Sequence, residues 1–360
     1  MKEKLCSVLF FGIIFVFSAL CFFLPKADFS ESERRVLAAF PEVSAENIFS
    51  GKFSGAFEEF ATDTFPFRDR FRAIKATAAQ NIFLKSDNNG LFKSGKHLSK
   101  LDWPLKHELL DHAAERFSYI YETYLRNSAK SVHLSIIPDK NHFLPTLKYD
   151  SEELVSYMKD KMPYAEYTDI FHHLALSDYY FTDSHWKQEE IADVADALLS
   201  SLGRPQTESF IENTLDTPFY GVFVGQSAKK VSPDTIRHLT NDTINSLTVT
   251  SYDTGAPKRV LVYDMEKAGG RDPYEMFLAG NSALLTVENP NRQDGSHLIV
   301  FRDSFASSLL PLMAGSYEKI TAVDIRYIQS AMLGNFVDFK GADVLFLYSE
   351  GMLNGSLGLR

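Results

Sequence analysis

The chain has 360 residues, of which 45% are hydrophobic and 23% are charged, a composition typical of a folded protein. Its 37 basic and 47 acidic residues give a net charge of −10, which disfavours binding to the phosphate backbone of nucleic acids. The two cysteines, Cys6 and Cys21, lie in an N-terminal apolar run, which excludes a disulfide framework, a zinc ribbon and a cysteine nucleophile in the rest of the chain.

The N-terminus has the pattern of a membrane anchor. Two lysines precede an uncharged apolar stretch from Leu5 to Leu24, which matches the thickness of the hydrocarbon core of a bilayer. A cleavable signal peptide usually has a shorter apolar region that ends in small residues, whereas this one ends in bulky residues. The preceding lysines favour a cytoplasmic N-terminus. We therefore predict that residues 1–25 are an uncleaved signal anchor of a single-pass membrane protein, with the rest of the chain outside the cytoplasm. If this segment is cleaved, the protein is expected to be secreted.

The segment after the anchor shows helical periodicity. The spacing of Phe53, Phe57 and Phe60 predicts one helix, and a second helical run begins near Phe71. We predict that residues 26–100 form a helical juxtamembrane segment that packs on the catalytic domain.

Residues 101–360 are predicted to form that catalytic domain, in which strands alternate with helices. The predicted strands are Ser131–Ile137, His297–Phe301, Ile320–Val323 and Val344–Tyr348. The predicted helices cover residues 105–126, 187–201 and 305–313. This alternation favours an α/β fold with a mostly parallel sheet flanked by helices. Residues 204–245 are polar and show no period that assigns them.

Two short segments carry residues suited to nucleophilic catalysis. The first is Thr182–Trp186 (TDSHW), just before a predicted helix, and the second contains Ser304, between a predicted strand and a helix. A serine at such a turn lies at the end of the sheet, where backbone N–H groups can face a carbonyl oxygen. A histidine can take the proton of the serine, and the spacing of Asp183 and His185 suits a base and its orienting carboxylate.

Each segment also has a simpler explanation. Aspartate and serine are common helix N-caps, so both segments can be interpreted as caps. His185 can simply pack beside Trp186. The combination of the two segments, rather than either one, favours the catalytic interpretation.

The combination also carries a family resemblance. Residues 28–360 resemble the DHHW family of secreted bacterial proteins, which is related to the AlgX/AlgJ-like alginate O-acetylation proteins of the SGNH hydrolase superfamily. The motifs that carry the resemblance are Ser32–Pro41, Asp63–Arg68, Ile137–Lys140, Thr182–Trp186, Arg302–Phe305 and Asp324–Tyr327. The resemblance implies an SGNH-hydrolase-like (flavodoxin-like) fold. Two positions depart from the family pattern: Ser184 replaces the first histidine of the family name, and Arg302 replaces the usual glycine before Asp-Ser.

The resemblance also implies the roles of individual residues. It makes Ser304 the nucleophile, His185 the base and Asp183 the residue that orients the base. It makes Gly280 and Asn281 the candidates for an oxyanion hole, although a plain turn explains this pair equally well.

Four further residues are candidates for substrate binding. They are Trp186, Arg302, Arg326 and Tyr327. The arginine before the nucleophile can place a cation at the mouth of the site or restrict the tight turn. A salt bridge and a packed ring are the alternative interpretation of the Arg-Tyr pair.

The residues and the resemblance together predict a membrane-anchored, extracytoplasmic acyl-transfer enzyme that acts on a cell-surface polysaccharide. It is expected to be either an O-acetyltransferase or an acetylesterase. The family resemblance implies a membrane-bound O-acyltransferase as the partner that delivers the acyl group. No metal, cofactor or nucleic acid is expected. The alternative is a non-catalytic carbohydrate-binding or scaffold protein of the cell envelope.

Overall fold

The structure is a computed structural model, and the residues that it describes are 2–30, 32–88, 90–144, 150–205, 208–229 and 231–360. The chain divides into two compact units. The N-terminal unit comprises Met1–Leu91 and Val224–Val231, and the C-terminal unit comprises Phe92–Phe223 and Ser232–Arg360.

The N-terminal unit is mainly helical. Its elements are α1 (Lys2–Phe23), β1 (Phe29–Ser30), β2 (Arg35–Val36), α2 (Ala45–Phe49), α3 (Lys52–Asp63), α4 (Arg68–Asn81) and β3 (Asp87–Asn88). Helices α3 and α4 confirm the two helices expected from the phenylalanine spacing. Within α1, the 20 residues Lys4–Phe23 are long and apolar enough to cross a membrane, so this helix is a candidate anchor or signal sequence.

Two of the family-like motifs meet inside this unit. Arg35 donates two hydrogen bonds to the carboxylate of Asp63, and the backbone N–H of Ala38 donates a third. Arg68, the first residue of α4, forms an ion pair with Glu33 at 2.6 Å. The hydrogen bonds from Arg35 lower the pKa of Asp63 to about 2, against the opposing effect of burial. These ion pairs fix the segment that contains Glu33, Arg35 and Ala38 on the adjoining ends of α3 and α4.

The rest of the chain alternates strands with helices. The strands are β4 (Leu91–Ser94), β5 (His97–Lys100), β6 (Ser131–Ile137), β7 (Glu166–Tyr167), β8 (Ile211–Phe219), β9 (Asp234–Thr240), β10 (Thr248–Ser251), β11 (Lys258–Val260), β12 (Leu284–Glu288), β13 (His297–Arg302), β14 (Lys319–Val323) and β15 (Asp343–Ser349). The helices are α5 (His107–Ile120), α6 (Ser151–Lys161), α7 (Ala192–Ser201), α8 (Val222–Ser227), α9 (Asp242–Ser246), α10 (Met265–Ala268), α11 (Ala306–Met313) and α12 (Glu350–Gly355).

The main sheet has eight strands in the order β11-β10-β12-β14-β13-β15-β6-β7. The five strands from β14 to β7 are parallel, and the three pairings at the other end are antiparallel. Successive residues of β13 belong to two different hydrophobic clusters, as expected for a strand that is buried on both faces. Helices α7 and α11 pack on one face and α5 on the other. This arrangement confirms the predicted mostly parallel α/β fold.

Two predicted helices differ from the observed ones. The helix expected over residues 187–201 begins at Ala192, because a short 3₁₀ turn holds the side chain of Gln188 in the core. That amide donates to the carbonyl of Ser308 and accepts from the N–H of Leu239. The helix expected over residues 105–126 is α5 followed by one turn of π-helix, Tyr121–Leu125.

The segment 204–245, in its described part, contains an antiparallel hairpin of β8 and β9. Most side chains of β8 are exposed, and its register shifts between Thr214 and Pro218. An exposed, irregular strand has no alternating apolar pattern, which explains why the sequence does not reveal it.

Candidate active site

The predicted nucleophile lies at the end of the central strand β13. Ser304 is partly exposed in the turn between β13 and α11. The neighbouring Asp303 is buried, and its carboxylate accepts hydrogen bonds from the N–H of Phe305 at 3.0 Å and from the N–H and Oγ of Ser349 at 2.8 and 2.7 Å. Asp303 therefore joins the turn to the end of the adjacent strand β15, and Ser304 is the residue left to face the site.

Three predicted residues form one chain of hydrogen bonds. The Nε2 atom of His185 lies 2.7 Å from the Oγ of Ser304, and its Nδ1 atom lies 2.6 Å from Oδ1 of Asp183. The second carboxylate oxygen of Asp183 accepts from the N–H of Val222 at 2.8 Å. A neutral histidine with its proton on Nδ1 satisfies this chain, which leaves Nε2 free to accept the serine proton.

The electrostatics of Asp183 favour its ionised form. Burial of the carboxylate opposes ionisation, but the charge and hydrogen bond of His185 and the N–H of Val222 outweigh it, so the pKa of Asp183 lies well below its usual range. Asp183 is therefore a carboxylate at neutral pH, the form that can stabilise an imidazolium at His185.

A second carboxylate holds the loop that carries His185. Asp234, at the start of β9, accepts hydrogen bonds from the N–H groups of Phe181 and Thr182 at 2.7 and 2.8 Å and from the hydroxyl of Thr182 at 2.5 Å. The Thr182 hydroxyl oxygen in turn accepts from the N–H of Gly221 at 2.8 Å. A Cβ at Gly221 would lie 2.3 Å from the carbonyl oxygen of Thr182, so only glycine fits there.

We expect Asp234→Ala to impair both stability and activity. The substitution removes the acceptor from the N–H groups of Phe181 and Thr182 and from the hydroxyl of Thr182, which is expected to lower the free energy of unfolding by about 2–4 kcal/mol. Because the same loop carries His185, cleavage of p-nitrophenyl acetate is also expected to fall. Thermal unfolding and ester cleavage should be compared with Asp216→Ala, an exposed aspartate on β8. If the Asp234 and Asp216 variants behave alike, Asp234 does not hold the loop.

A buried lysine supports the same loop from another side. The Nζ of Lys140 donates to the backbone carbonyls of Asp183 and Tyr180 at 2.7 and 3.2 Å and lies 5.0 Å from the centre of the Phe223 ring. Burial lowers the pKa of Lys140 below that of a free lysine. The family-like motif Ile137–Lys140 thus supports the site by positioning its loop.

Aromatic rings fix the plane of the His185 imidazole. The ring of Tyr274 stacks on it with centroids 3.9 Å apart and an angle of 16°, and the ring of Phe305 lies 4.8 Å away. The hydroxyl of Tyr274 is 2.8 Å from Oγ of Ser308, which anchors the stacked ring. The imidazole is therefore held between aromatic neighbours as well as by its hydrogen bonds.

Sequence reasoning missed three residues in these supporting roles. They are Lys140, Asp234 and Tyr274. Lys140 lies in a motif that carries the family resemblance, but nothing in the motif shows that its side chain reaches the loop of His185. Asp234 and Tyr274 lie far in sequence from both catalytic segments, and only the folded chain brings them to the site.

Two of the four substrate-binding candidates are structural residues, contrary to expectation. The indole of Trp186 is fully buried and donates to the carbonyl of Phe305 at 3.1 Å and to Oγ of Ser308 at 3.0 Å. Arg302 is also fully buried, because its guanidinium hydrogen-bonds to backbone carbonyls under the turn rather than reaching the mouth of the site. Neither side chain is accessible to a substrate.

The other two candidates differ from each other. Arg326 forms the alternative salt bridge, with its Nε atom 2.8 Å from the buried carboxylate of Asp324. Tyr327 is 52% exposed rather than packed, and the Arg326 guanidinium lies 5.2 Å from its ring centre. Substrate binding by Tyr327 stays a prediction.

The candidate oxyanion segment has an unusual backbone. Leu278, Ala279 and Gly280 have φ values of 45°, 61° and 73°, a left-handed stretch that costs energy for the two non-glycine residues. A Cβ at Gly280 would lie 2.8 Å from Cβ of Glu275, so the glycine is required. The Nδ2 of Asn281 is exposed and 3.5 Å from the Glu275 carboxylate. The oxyanion role of Gly280 and Asn281 stays a prediction.

Comparison with known proteins identifies a family that part of this chain resembles. The protein-family model described as DHHW protein matches residues 154–323, a range that contains Asp183, His185 and Ser304. This match confirms the resemblance to the DHHW family that was inferred from the motifs. A search of curated proteins finds no match.

Solved structures with a similar fold accompany this match. A DHHW family protein from Eubacterium siraeum is 19% identical with a TM-score of 0.59, and the match covers 76% of this chain and 94% of that one. Bacillus cereus PatB1, solved with a sulfonyl adduct, is 17% identical with a TM-score of 0.61, over 74% of this chain and 97% of that one. These two structures share the fold of this chain. The O-acetyltransferase domain of Pseudomonas putida AlgJ is a more distant match, at 12% identity and a TM-score of 0.45, over 74% and 93%.

Proposed function

We propose that the protein is a membrane-anchored, extracytoplasmic acyl-transfer enzyme that works through Ser304, either as an O-acetyltransferase or as an acetylesterase of a cell-surface polysaccharide. The observation that carries this proposal is the continuous hydrogen-bond chain from Ser304 through His185 to Asp183. A buried carboxylate, a stacked imidazole and a partly exposed serine in this order are the components that activate a hydroxyl nucleophile.

In the first step, Oγ of Ser304 attacks the carbonyl carbon of an acyl donor while Nε2 of His185 takes the hydroxyl proton. The tetrahedral intermediate collapses to acyl-Ser304, and the leaving oxygen takes the proton from His185. Throughout this step Asp183 accepts the Nδ1–H bond, which keeps the imidazole in the required tautomer and orientation.

In the second step, an acceptor hydroxyl enters the same position. His185 takes its proton, the acceptor oxygen attacks the acyl carbonyl, and the proton returns to Oγ of Ser304. A sugar hydroxyl as acceptor gives transfer, and water gives hydrolysis. The choice between them depends on how well the site excludes water and binds the sugar.

The anchor bears on the source of the acyl group. Helix α1 would hold the enzyme at a membrane, where a membrane-bound O-acyltransferase can deliver acyl groups to Ser304.

The exposed position of Tyr327 at the end of the motif Asp324–Tyr327 makes it the best remaining candidate for an aromatic contact with a sugar.

The test is covalent labelling of the full-length protein in membranes. A sulfonyl fluoride reacts with an activated serine by forming a sulfonate ester and releasing fluoride, and PatB1 has been solved with a sulfonyl adduct. We expect one adduct, located at Ser304 by peptide mass spectrometry, and parallel loss of p-nitrophenyl acetate cleavage. Ser304→Ala should abolish both signals, whereas Ser184→Ala, a second serine in the same site, should retain them.

The opposite pattern would favour another function. Equal ester cleavage by wild type and Ser304→Ala, with no adduct at Ser304, would contradict the proposal and favour the non-catalytic carbohydrate-binding protein. If Ser304 is labelled, adding oligosaccharide acceptors separates the two enzymatic alternatives, because a transferase then produces acetylated sugar in preference to free acetate.

A further inference from the structure

We propose that the aromatic turn between α3 and α4 is immersed in the outer leaflet of the membrane that α1 crosses, with anionic lipid headgroups beside the basic residues of α4. We define this surface as the aromatic turn: Phe65, Phe67, Phe71 and Ile74. The proposal rests on the membrane anchor within the proposed function, but not on the catalytic chemistry.

The first observation is a cluster of three rings that joins α1 to the aromatic turn. The ring of Phe17 stacks on that of Phe65, with centroids 5.4 Å apart and an angle of 10°. It also meets Phe71 edge to face at 5.7 Å, and Phe65 and Phe71 are 5.8 Å apart. Phe65 and Phe71 of the aromatic turn therefore lie at the level of Phe17 along α1.

The second observation is the depth of Phe17 in the apolar helix. Phe17 precedes the end of α1, Phe23, by six residues. At 1.5 Å per helical residue, Phe17 lies roughly 9 Å inside the end of the span. A side chain that packs against it lies at the boundary between headgroups and acyl chains, the depth of about 5–10 Å that membrane-surface helices reach.

The third observation is the exposure of the aromatic turn to its surroundings. The exposed fractions are 39% for Phe65, 50% for Phe67, 43% for Phe71 and 63% for Ile74. Four exposed apolar side chains within ten residues are unfavourable in water and mark a contact surface. At the membrane boundary the same side chains would contact lipid instead of water.

The fourth observation is the charge of α4. Its sequence holds four basic residues and one acidic residue, on a chain whose net charge is −10. Arg68 and Arg72 form ion pairs with Glu33, whereas Arg70 is exposed beside the ring of Phe67. Basic side chains next to apolar ones are the pattern that binds anionic lipid surfaces.

A cavity of about 900 Å³ opens at the same place. Its charged lining has three cationic side chains, Arg68, Arg72 and Lys75, and two carboxylates, Glu33 and Glu58, beside the rings of Phe57, Phe65 and Phe71. Aromatic walls with an excess of cationic side chains suit a phospholipid, whose acyl chains and anionic headgroup need both. Depth, exposure and charge therefore favour lipid over a protein partner as the occupant.

The test measures the depth of single tryptophans introduced into the full-length chain. Phe67→Trp is placed in vesicles of phosphatidylethanolamine and phosphatidylglycerol, with or without lipids brominated near the headgroup end of the acyl chains. The wild type contains Trp103 and Trp186, so its fluorescence is subtracted as background. The remaining fluorescence, from the introduced tryptophan, should fall about twofold or more in brominated vesicles, because bromine quenches only on contact at that depth. Quenching by aqueous acrylamide should be weak.

Phe17→Trp is the matched control in α1. Strong acrylamide quenching of Phe67→Trp without lipid quenching, while Phe17→Trp is quenched by lipid, would overturn the proposal. Shielding from both quenchers would also overturn it and indicate a protein partner. If Phe17→Trp itself is not quenched by lipid, the anchor is wrong and this proposal fails with it, whereas sulfonyl labelling of Ser304 would still test the proposed catalysis.

Discussion

Asp183→Asn is expected to lower the rate of p-nitrophenyl acetate cleavage by about 10⁴-fold at neutral pH, the size of loss found when the carboxylate of a Ser-His-Asp triad becomes an amide. The reason lies in the three N–H donors that Asp183 faces. One carboxylate oxygen accepts from Nδ1 and from the backbone N–H of His185, and the other accepts from the N–H of Val222. An asparagine has one oxygen for these three donors.

A backbone N–H faces each of the two oxygens of Asp183, at 2.8 Å for Val222 and 3.2 Å for His185, so the amide oxygen introduced at position 183 is expected to take the shorter contact, to Val222. The amide N–H₂ then faces Nδ1 of His185 and donates to it, which moves the imidazole proton to Nε2. A histidine with a proton on Nε2 cannot accept one from Ser304. The variant should therefore keep its fold and lose its base.

Ser184→Ala is the control for this prediction. Its hydroxyl lies 3.5 Å from Oδ1 of Asp183, too far for a strong hydrogen bond. Its loss should change the rate little, which also tests whether the serine that replaces the family histidine matters. Initial rates and thermal unfolding should be measured for both variants. Similar rates for Asp183→Asn and the wild type would show that Asp183 does not orient the base.

The sequence predicts the elements whose apolar residues follow a helix or strand period, and the short motifs whose residues are close together in the chain. The strand Ser131–Ile137 has the predicted bounds because a short run rich in apolar, mostly β-branched residues that ends before a proline is typical of a strand. The segment Thr182–Trp186 and Ser304 are adjacent to helices that their own periodicity reveals. The hydrogen bonds that join these two segments across 119 residues follow from the parallel order of the strands, which a single sequence does not display.

The supporting residues are less predictable for a physical reason. Asp234 and Tyr274 come from the irregular hairpin and from a short 3₁₀ turn, neither of which has a clear hydrophobic period. Arg302 is the clearest misassignment. A charged residue beside a nucleophile suggests a contact with substrate, since a fully buried arginine is rare unless its charge is compensated. Here backbone carbonyls and nearby carboxylates compensate it, and only the folded chain brings them together.

Arg302→Met is expected to lower the free energy of unfolding by about 3–5 kcal/mol, the usual cost of removing one partner from a buried charged network. The guanidinium donates to the carbonyls of Gly280 and Ser282 at 3.3 and 3.2 Å and to Oγ of Ser307 at 2.8 Å. Methionine fills much of the space but removes the guanidinium donors from these buried acceptors. Arg292→Met, at a half-exposed arginine on the surface, should cost far less.

The same substitution is expected to reduce catalysis in protein that is still folded. Arg302 ties the left-handed stretch Leu278–Gly280 to the turn of Ser304, and without this tie the strained backbone can relax to ordinary φ values. Asn281 would then leave the position from which it is predicted to stabilise the oxyanion, which costs about 10²–10³ in kcat when one donor is lost. Ester cleavage measured well below the unfolding temperature separates the two effects. Full activity of the variant at that temperature would show that Arg302 acts on stability alone. A large loss of ester cleavage, with Ser304 still reactive toward a sulfonyl fluoride, would show that Arg302 acts on the oxyanion segment.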